Sequence, residues 1–161
     1  VLNMLTDEIR GATGADVVLF QVGGVRLEEL SKGVVTMEDI LSIHPFNSNM
    51  GLTTMTATEI SDMILSPSSW NTRNTFYPSG LSYTVSVDSE GCLQSVSPTF
   101  GEKKELYVVA VDDYTYSNES GFPYHRRPLI EGGVSVVESL RNVFQNRVVT
   151  PDNTSRVVVE Q

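Results

Sequence analysis

Near neutral pH histidine and cysteine are the side chains that titrate as well as ligate metals or attack, and the chain has two His and one Cys in 161 residues. Neither His44 nor His125 has a second His or Cys at metal-ligand spacing. His44 stands before Pro45 where a helical pattern stops, which suits a structural role such as serving a helix C-terminus. His125 lies in Tyr124-His125-Arg126-Arg127, which reads as solvated loop. Cys92 follows a hairpin glycine and reads as a small packing residue. Ser79-Gly80 lacks the Gly-x-Ser-x-Gly pattern of a nucleophile elbow. Asp112 and Asp113 are adjacent on a segment that reads as extended, so their carboxylates point to opposite faces and no metal site is expected there. No residue of this chain is therefore assigned a catalytic or metal-binding role.

Binding chemistry is better represented. Gln21-Val22-Gly23-Gly24-Val25-Arg26 follows an apolar run. Gly23 and Gly24 permit positive φ and close approach of a ligand to the backbone. Arg26 could fork a phosphate or carboxylate with two parallel hydrogen bonds. A simple turn with an exposed arginine fits the same residues, and both readings stay open at this level. The third glycine of a dinucleotide fingerprint is missing. Phe46 falls on one loop-like segment, and Tyr114 and Tyr116 fall together on another. Such rings either converge to sandwich a flat ligand or pack under their own loops.

The elements that must position these residues follow from periodicity. Leu2, Leu5, Ile9 and Ala12 predict a helix, with Gly11 and Gly14 available to end it. Asp16–Phe20 predicts a buried strand. Thr36 predicts the cap of a helix over Met37–Ile43, and Leu52–Thr56 a strand. Thr56 or Thr58 would cap the next helix, through Leu65. The polar, proline-punctuated stretch Ser66–Ser79 reads as loop. Leu81–Val87 and Cys92–Ser97 flank a hairpin signal at Asp88-Ser89-Glu90-Gly91. Leu106–Val111 predicts a strand, Asp112–Pro128 a long irregular stretch, Val134–Phe144 an amphipathic helix and Arg156–Glu160 a closing strand. The class is mixed, α+β or α/β.

Composition narrows the partners. Eleven Lys+Arg against 20 Asp+Glu give a net charge of −9. Adjacent basic residues occur only at Lys103-Lys104 and Arg126-Arg127, too few to track a phosphate backbone or an anionic membrane surface. No apolar run approaches the roughly 20 residues of a spanning helix. One cysteine precludes an intrachain disulfide. The chain opens inside a helical pattern at Val1-Leu2-Asn3, which leads us to expect domain residues upstream of it.

Taken in order, these segments resemble the C-terminal domain of the 5′-nucleotidase family, secreted or periplasmic hydrolases of nucleotides and UDP-sugars. Asn3-Met4-Leu5-Thr6-Asp7 is similar to that domain's opening helix. Ala15–Leu19 through Gly23-Gly24-Val25-Arg26 is similar to its strand and Asn-x-Gly-Gly-Ile-Arg turn. Gly33–Ile40 followed by His44-Pro45-Phe46-Asn47, then Thr56–Ile60, then Ser79-Gly80-Leu81-Ser82-Tyr83 continue the series. Tyr107–Asp112 with Gly121-Phe122, then Val149-Thr150-Pro151 and Arg156-Val157, complete it over nearly the whole chain.

The resemblance implies an α+β fold of layered helices and mixed sheets, with residues 1–161 forming a single domain. That domain would lack a few N-terminal residues and the whole metallophosphoesterase domain, which in the family holds two divalent metal ions and does the hydrolysis. The implied partners are that domain, fused or separate, and a nucleoside or nucleotide. The implied compartment is periplasmic, cell-surface or secreted. Carried over by position, the substrate-binding residues are Gln21, Gly23, Gly24, Arg26, Phe46, Ser79, Gly80, Tyr114 and Ser120. Phe46 and Tyr114 would be the stacking rings. Gln21 stands where the family has Asn, and Ser120 where it has an Asp. An Asp would bind a ribose diol with charge-assisted bonds, often worth about 1.5–3 kcal/mol. Its absence keeps a second function open: a non-catalytic binding or interaction module that retains the fold without ribose recognition.

Overall fold

A computed structural model describes residues 1–27, 29–67, 69–71, 73–117 and 127–161. Helix α1 (Leu2–Thr13) buries Leu5 and Ile9 on one stripe and ends at Gly14, whose φ of 69° is the left-handed cap a glycine supplies at little cost. Strand β1 (Val17–Gln21) is buried along its first four residues. Alternate residues serve different layers: Val17 and Leu19 face one core cluster, Val18 and Phe20 the other. A strand covered on both faces needs such a continuous apolar run.

The 3-10 turn Val22–Gly24 follows, then α2 (Met37–Ile43), β2 (Asn49–Met55) and α3 (Ala57–Ile64). Both helices begin with capping boxes: Thr36 with Asp39, and Thr56 with Glu59. Between the two candidates the sequence offers for the second cap, Thr56 is the one used. Next come β3 (Phe76–Ser79), β4 (Leu81–Val87), β5 (Leu93–Phe100) and β6 (Tyr107–Asp112). The short α4 (Asp113–Ser117), β7 (Ile130–Ser135), α5 (Val136–Phe144) and β8 (Val157–Glu160) complete the described chain.

The strands form a five-stranded sheet in the order β3-β1-β6-β2-β7 and a three-stranded sheet in the order β5-β4-β8. Parallel and antiparallel pairs occur in both, so the sheets are mixed and the class is α+β, as expected. One core cluster joins the large sheet to α1, α2 and α5 through Leu5, Ile9, Phe20, Ile40, Ile43 and Leu140. The other joins its opposite face to α3 and the small sheet through Leu19, Val109, Ile60, Met63, Tyr83 and Val85.

Two strands depart from the sequence expectations. Residues 76–79 are not loop but β3. Pro78 lies opposite Leu19 on an edge strand, where its missing N–H breaks no second ladder. Residues 130–135 form β7, another edge strand, so α5 starts at Val136 rather than Val134, with Ser135 as its cap. Gly132 and Gly133 hide this strand in sequence. At Gly133 a Cβ would lie 2.5 Å from the Met50 carbonyl oxygen, where the β2–β7 register shifts.

Candidate functional site

Three chain segments meet at one end of the large sheet. β1 runs parallel to β6, with Leu19 beside Val111, and β2 runs antiparallel to β6, with Met50 beside Asp112. The turn after β1, the residues before β2 and the residues after β6 therefore share that end. β3 starts there too, because Phe76 pairs with Gln21. The sheet brings Gln21, Gly23, Gly24, Arg26, Phe46 and Tyr114 to this end. It places Ser79 and Gly80 elsewhere: Ser79 pairs with Val18, toward the other end of β1.

The turn is held from two sides. Gly23 N–H donates to the Arg73 carbonyl at 2.8 Å, and a Cβ on Gly23 would stand 2.8 Å from that same oxygen. A Cβ on Gly24 would stand 2.9 Å from Phe20 Cζ. Neither glycine adopts a positive φ. The expectation of positive φ is corrected: the pair serves close packing against Arg73 and Phe20. Arg26 N–H donates to the Ile43 carbonyl at 2.8 Å, tying the turn to the end of α2.

His44 is the C-cap residue of α2 and is 2% exposed. Its Nδ1 lies 2.7 Å from the Gly24 carbonyl oxygen. A carbonyl only accepts, so Nδ1 carries the proton. Nε2 is buried and has no hydrogen-bond partner among the described residues. The imidazole meets Phe20 edge-on at 6.3 Å and Phe46 edge-on at 5.5 Å. The structural role expected for His44 holds, but its bond goes to the glycine turn.

Phe46 remains 42% exposed, with the Arg26 guanidinium carbon 5.2 Å from its ring centroid. That is cation–π range. Tyr114, on α4, is 63% exposed. Asn49 N–H donates to Asp113 Oδ2 at 3.3 Å, which ties the start of β2 to the start of α4. No ring contact joins Tyr114 to Phe46 among the described residues. Burial pushes the Asp112 carboxyl above its usual range, against the N–H that Thr115 donates to it at 3.1 Å. No cluster of three or more His, Cys, Asp or Glu suited to a metal occurs among the described residues.

Ser79 donates to Asp7 at 2.7 Å, and Asp7 also pairs with Arg156 at 2.7 Å. Gly80 has φ 85°, and a Cβ there would come within 2.0 Å of the Asp16 carbonyl oxygen. These contacts fasten α1 to β3 and are remote from Arg26. Ser120, and with it Gly121, Phe122 and His125, lies outside the described residues.

Beside the turn lies a cleft of about 540 Å³ that sequence patterns do not reveal. Arg26, Arg73, Tyr77, Asn3 and Asp152 line it. These residues span the chain from one end to the other, so no local motif could have flagged them.

The family model for the 5′-nucleotidase C-terminal domain matches residues 1–127. The chain belongs to this family. No curated protein sequence matches that of this 5′-nucleotidase C-terminal domain. Among solved structures it is similar to a 5′-nucleotidase precursor from Thermus thermophilus, with a TM-score of 0.81 and 21% identity over 98% of this chain and 34% of that one. It is also similar to the NAD nucleotidase of Haemophilus influenzae, with a TM-score of 0.69 and 17% identity over 99% of this chain and 33% of that one. A sulfate thiohydrolase from Thermus thermophilus shares the fold as well, with a TM-score of 0.64 and 13% identity over 97% of this chain and 31% of that one. The chain thus spans about a third of the length of each. No helix among the described residues is long and apolar enough to cross a membrane.

Proposed function

We propose that this 5′-nucleotidase C-terminal domain recognises a nucleoside or nucleotide for a phosphohydrolase whose metal chemistry resides in a metallophosphoesterase domain, fused to it or encoded separately. The observation that carries this reading is the Arg26 guanidinium over the exposed Phe46 ring at the sheet end that Tyr114 also reaches. A base would lie against Phe46 and Tyr114. Arg26 would hold polar or anionic groups, with Gln21 at the turn and Ser120 in the late loop as further contacts. The domain contributes positioning, which lowers the entropic part of a barrier without touching the reacting bond. Residues 1–161 act as one recognition unit, in a periplasmic, cell-surface or secreted setting.

Calorimetry of the 161-residue chain with adenosine, uridine and their monophosphates tests the proposal. Binding that is abolished by both Phe46→Ala and Arg26→Ala is the expected result. Steady phosphatase turnover by this chain with added divalent metal would overturn the division of labour. The second reading, a module that keeps the fold without ribose recognition, rests on Gln21 and Ser120 standing where the family has Asn and Asp. It is favoured if no nucleoside binds at all.

A further inference from the structure

The cleft beside the glycine turn brings together two arginines that have no ion-pair partner among the described residues. In a chain with 11 Lys+Arg and 20 Asp+Glu, a basic side chain meets a carboxylate easily. Lys104, Arg127, Arg141, Arg147 and Arg156 all do so. Arg10 donates instead to the Asp16 carbonyl. Arg26, Lys32, Arg73 and Lys103 have no carboxylate within ion-pair distance among the described residues, and of these four Arg26 and Arg73 line the same cleft.

Three other polar side chains there, Tyr77, Asn3 and Asp152, are already engaged. Tyr77 Oη donates to Asn3 Oδ1 at 2.5 Å. Asn3 Nδ2 donates to the carbonyls of Asp152 and Thr154 at 3.1 and 2.9 Å. The Asp152 carboxylate lines the cleft but accepts from Thr154 N–H at 3.0 Å, and that bond holds its carboxyl below the usual range. The Val1 ammonium and the Asn153 amide line the same cleft, and the charged side-chain donors there without a partner among the described residues are the two guanidinium groups. Each guanidinium is a planar fork of five N–H donors that suits an oxyanion.

Their spacing is fixed by backbone. The Arg73 carbonyl accepts from Gly23 N–H, and Arg26 donates its own N–H to Ile43. The Arg73 loop is thus clamped to the turn at Gly23, three residues before Arg26. Arg26 rests one face on Phe46, which leaves its edge donors free for the cleft.

We propose that Arg73 and Arg26 form an anion-binding site that takes a phosphate group or another tetrahedral oxyanion. Arg73 is the new element: no sequence motif marks it. The site does not require a base on Phe46, so it stands or falls apart from nucleoside recognition. If both hold, a nucleotide lies across the turn, with its ring on Phe46 and its anionic end between the arginines.

Calorimetry of the 161-residue chain with pyrophosphate, inorganic phosphate, adenosine and AMP tests the site. Pyrophosphate is expected to bind, and Arg73→Ala, an exposed position, to weaken it about tenfold, as loss of a charge-assisted contact should. Arg73→Lys keeps the charge without the fork and should recover only part of that loss. Lys103→Ala, at the other end of the large sheet, reports general electrostatics and should leave the affinity unchanged. Adenosine affinity should be the same in wild type and Arg73→Ala. The site is refuted if pyrophosphate does not bind, if Arg73→Ala has no effect, or if Lys103→Ala weakens binding as much. Pyrophosphate binding without adenosine binding would uphold the site and count against the nucleoside reading.

Discussion

His44 shows how one side chain can hold a site together without touching a ligand. Its Nδ1–H bond to Gly24 joins the end of α2 to the turn that carries Arg26, and its ring borders Phe46. Asparagine and glutamine carry the same amide, but only asparagine places it near the Nδ1 position. His44→Asn should therefore keep the bond to Gly24, while His44→Gln should lose it and leave the carbonyl unsatisfied. The expected difference is about 1 kcal/mol in favour of His44→Asn, read by urea denaturation. Equal stabilities would show that the bond contributes nothing. The sequence marks His44 as structural through Pro45 and the end of the helical pattern. It cannot show the partner, which lies 20 residues away and is reached only once β1 and α2 have packed.

At the scale of elements, Thr56 and Thr58 are equally plausible caps in the sequence, and the structure distinguishes them. The Thr56 hydroxyl accepts from Glu59 N–H at 3.2 Å, and Glu59 in turn pairs with Arg127 at 2.7 Å. Thr56→Ala should cost about 1 kcal/mol by thermal or chemical denaturation, and Thr58→Ala much less. Equal costs would remove the cap from the account. Most helices and the inner strands were legible because each has one strong local signal: 3.6-residue periodicity in α1 and α5, the capping threonines, and β-branched runs in β1, β4 and β6. The edge strands β3 and β7 were not. Pro78 and Gly132-Gly133 are poor strand residues that an edge tolerates, and whether a segment is an edge is a property of the sheet. The candidate site divides the same way. Gly23-Gly24, Arg26, Phe46 and Tyr114 were each visible as local features. That Arg26 lies over Phe46, that Arg73 shares its cleft, and that Ser79 and Gly80 sit apart all depend on strand register.

Across the whole molecule, one carboxylate fastens the start of the central parallel pair of the large sheet. Asp16 precedes β1, accepts from Lys104 Nζ at 2.7 Å and from Val108 N–H at 2.8 Å, and so ties β1 to the start of β6. Partial burial acts to raise its carboxyl, but the Lys104 and Val108 bonds outweigh it and hold the value below the ordinary range. Asp7 and Glu59 are lowered in the same way, by Arg156 and Arg127. A carboxylate held low in the fold stabilises it above its unfolded value, about pH 4, and that stability is lost as pH falls through the folded value. Acidification also reduces the net charge of −9, which relieves self-repulsion and acts in the opposite direction. Asp16→Asn separates the two effects. It should lower stability at pH 7 by about 1 kcal/mol, because a partly exposed pair is screened and the asparagine still offers Val108 an acceptor. As the pH falls through the folded value and the wild-type carboxyl itself takes up a proton, the gap should shrink. A gap that stays the same size from pH 7 into acid, measured by urea unfolding, would mean that the mutation acts through packing and that the acid sensitivity of the fold lies in Asp7 and Glu59.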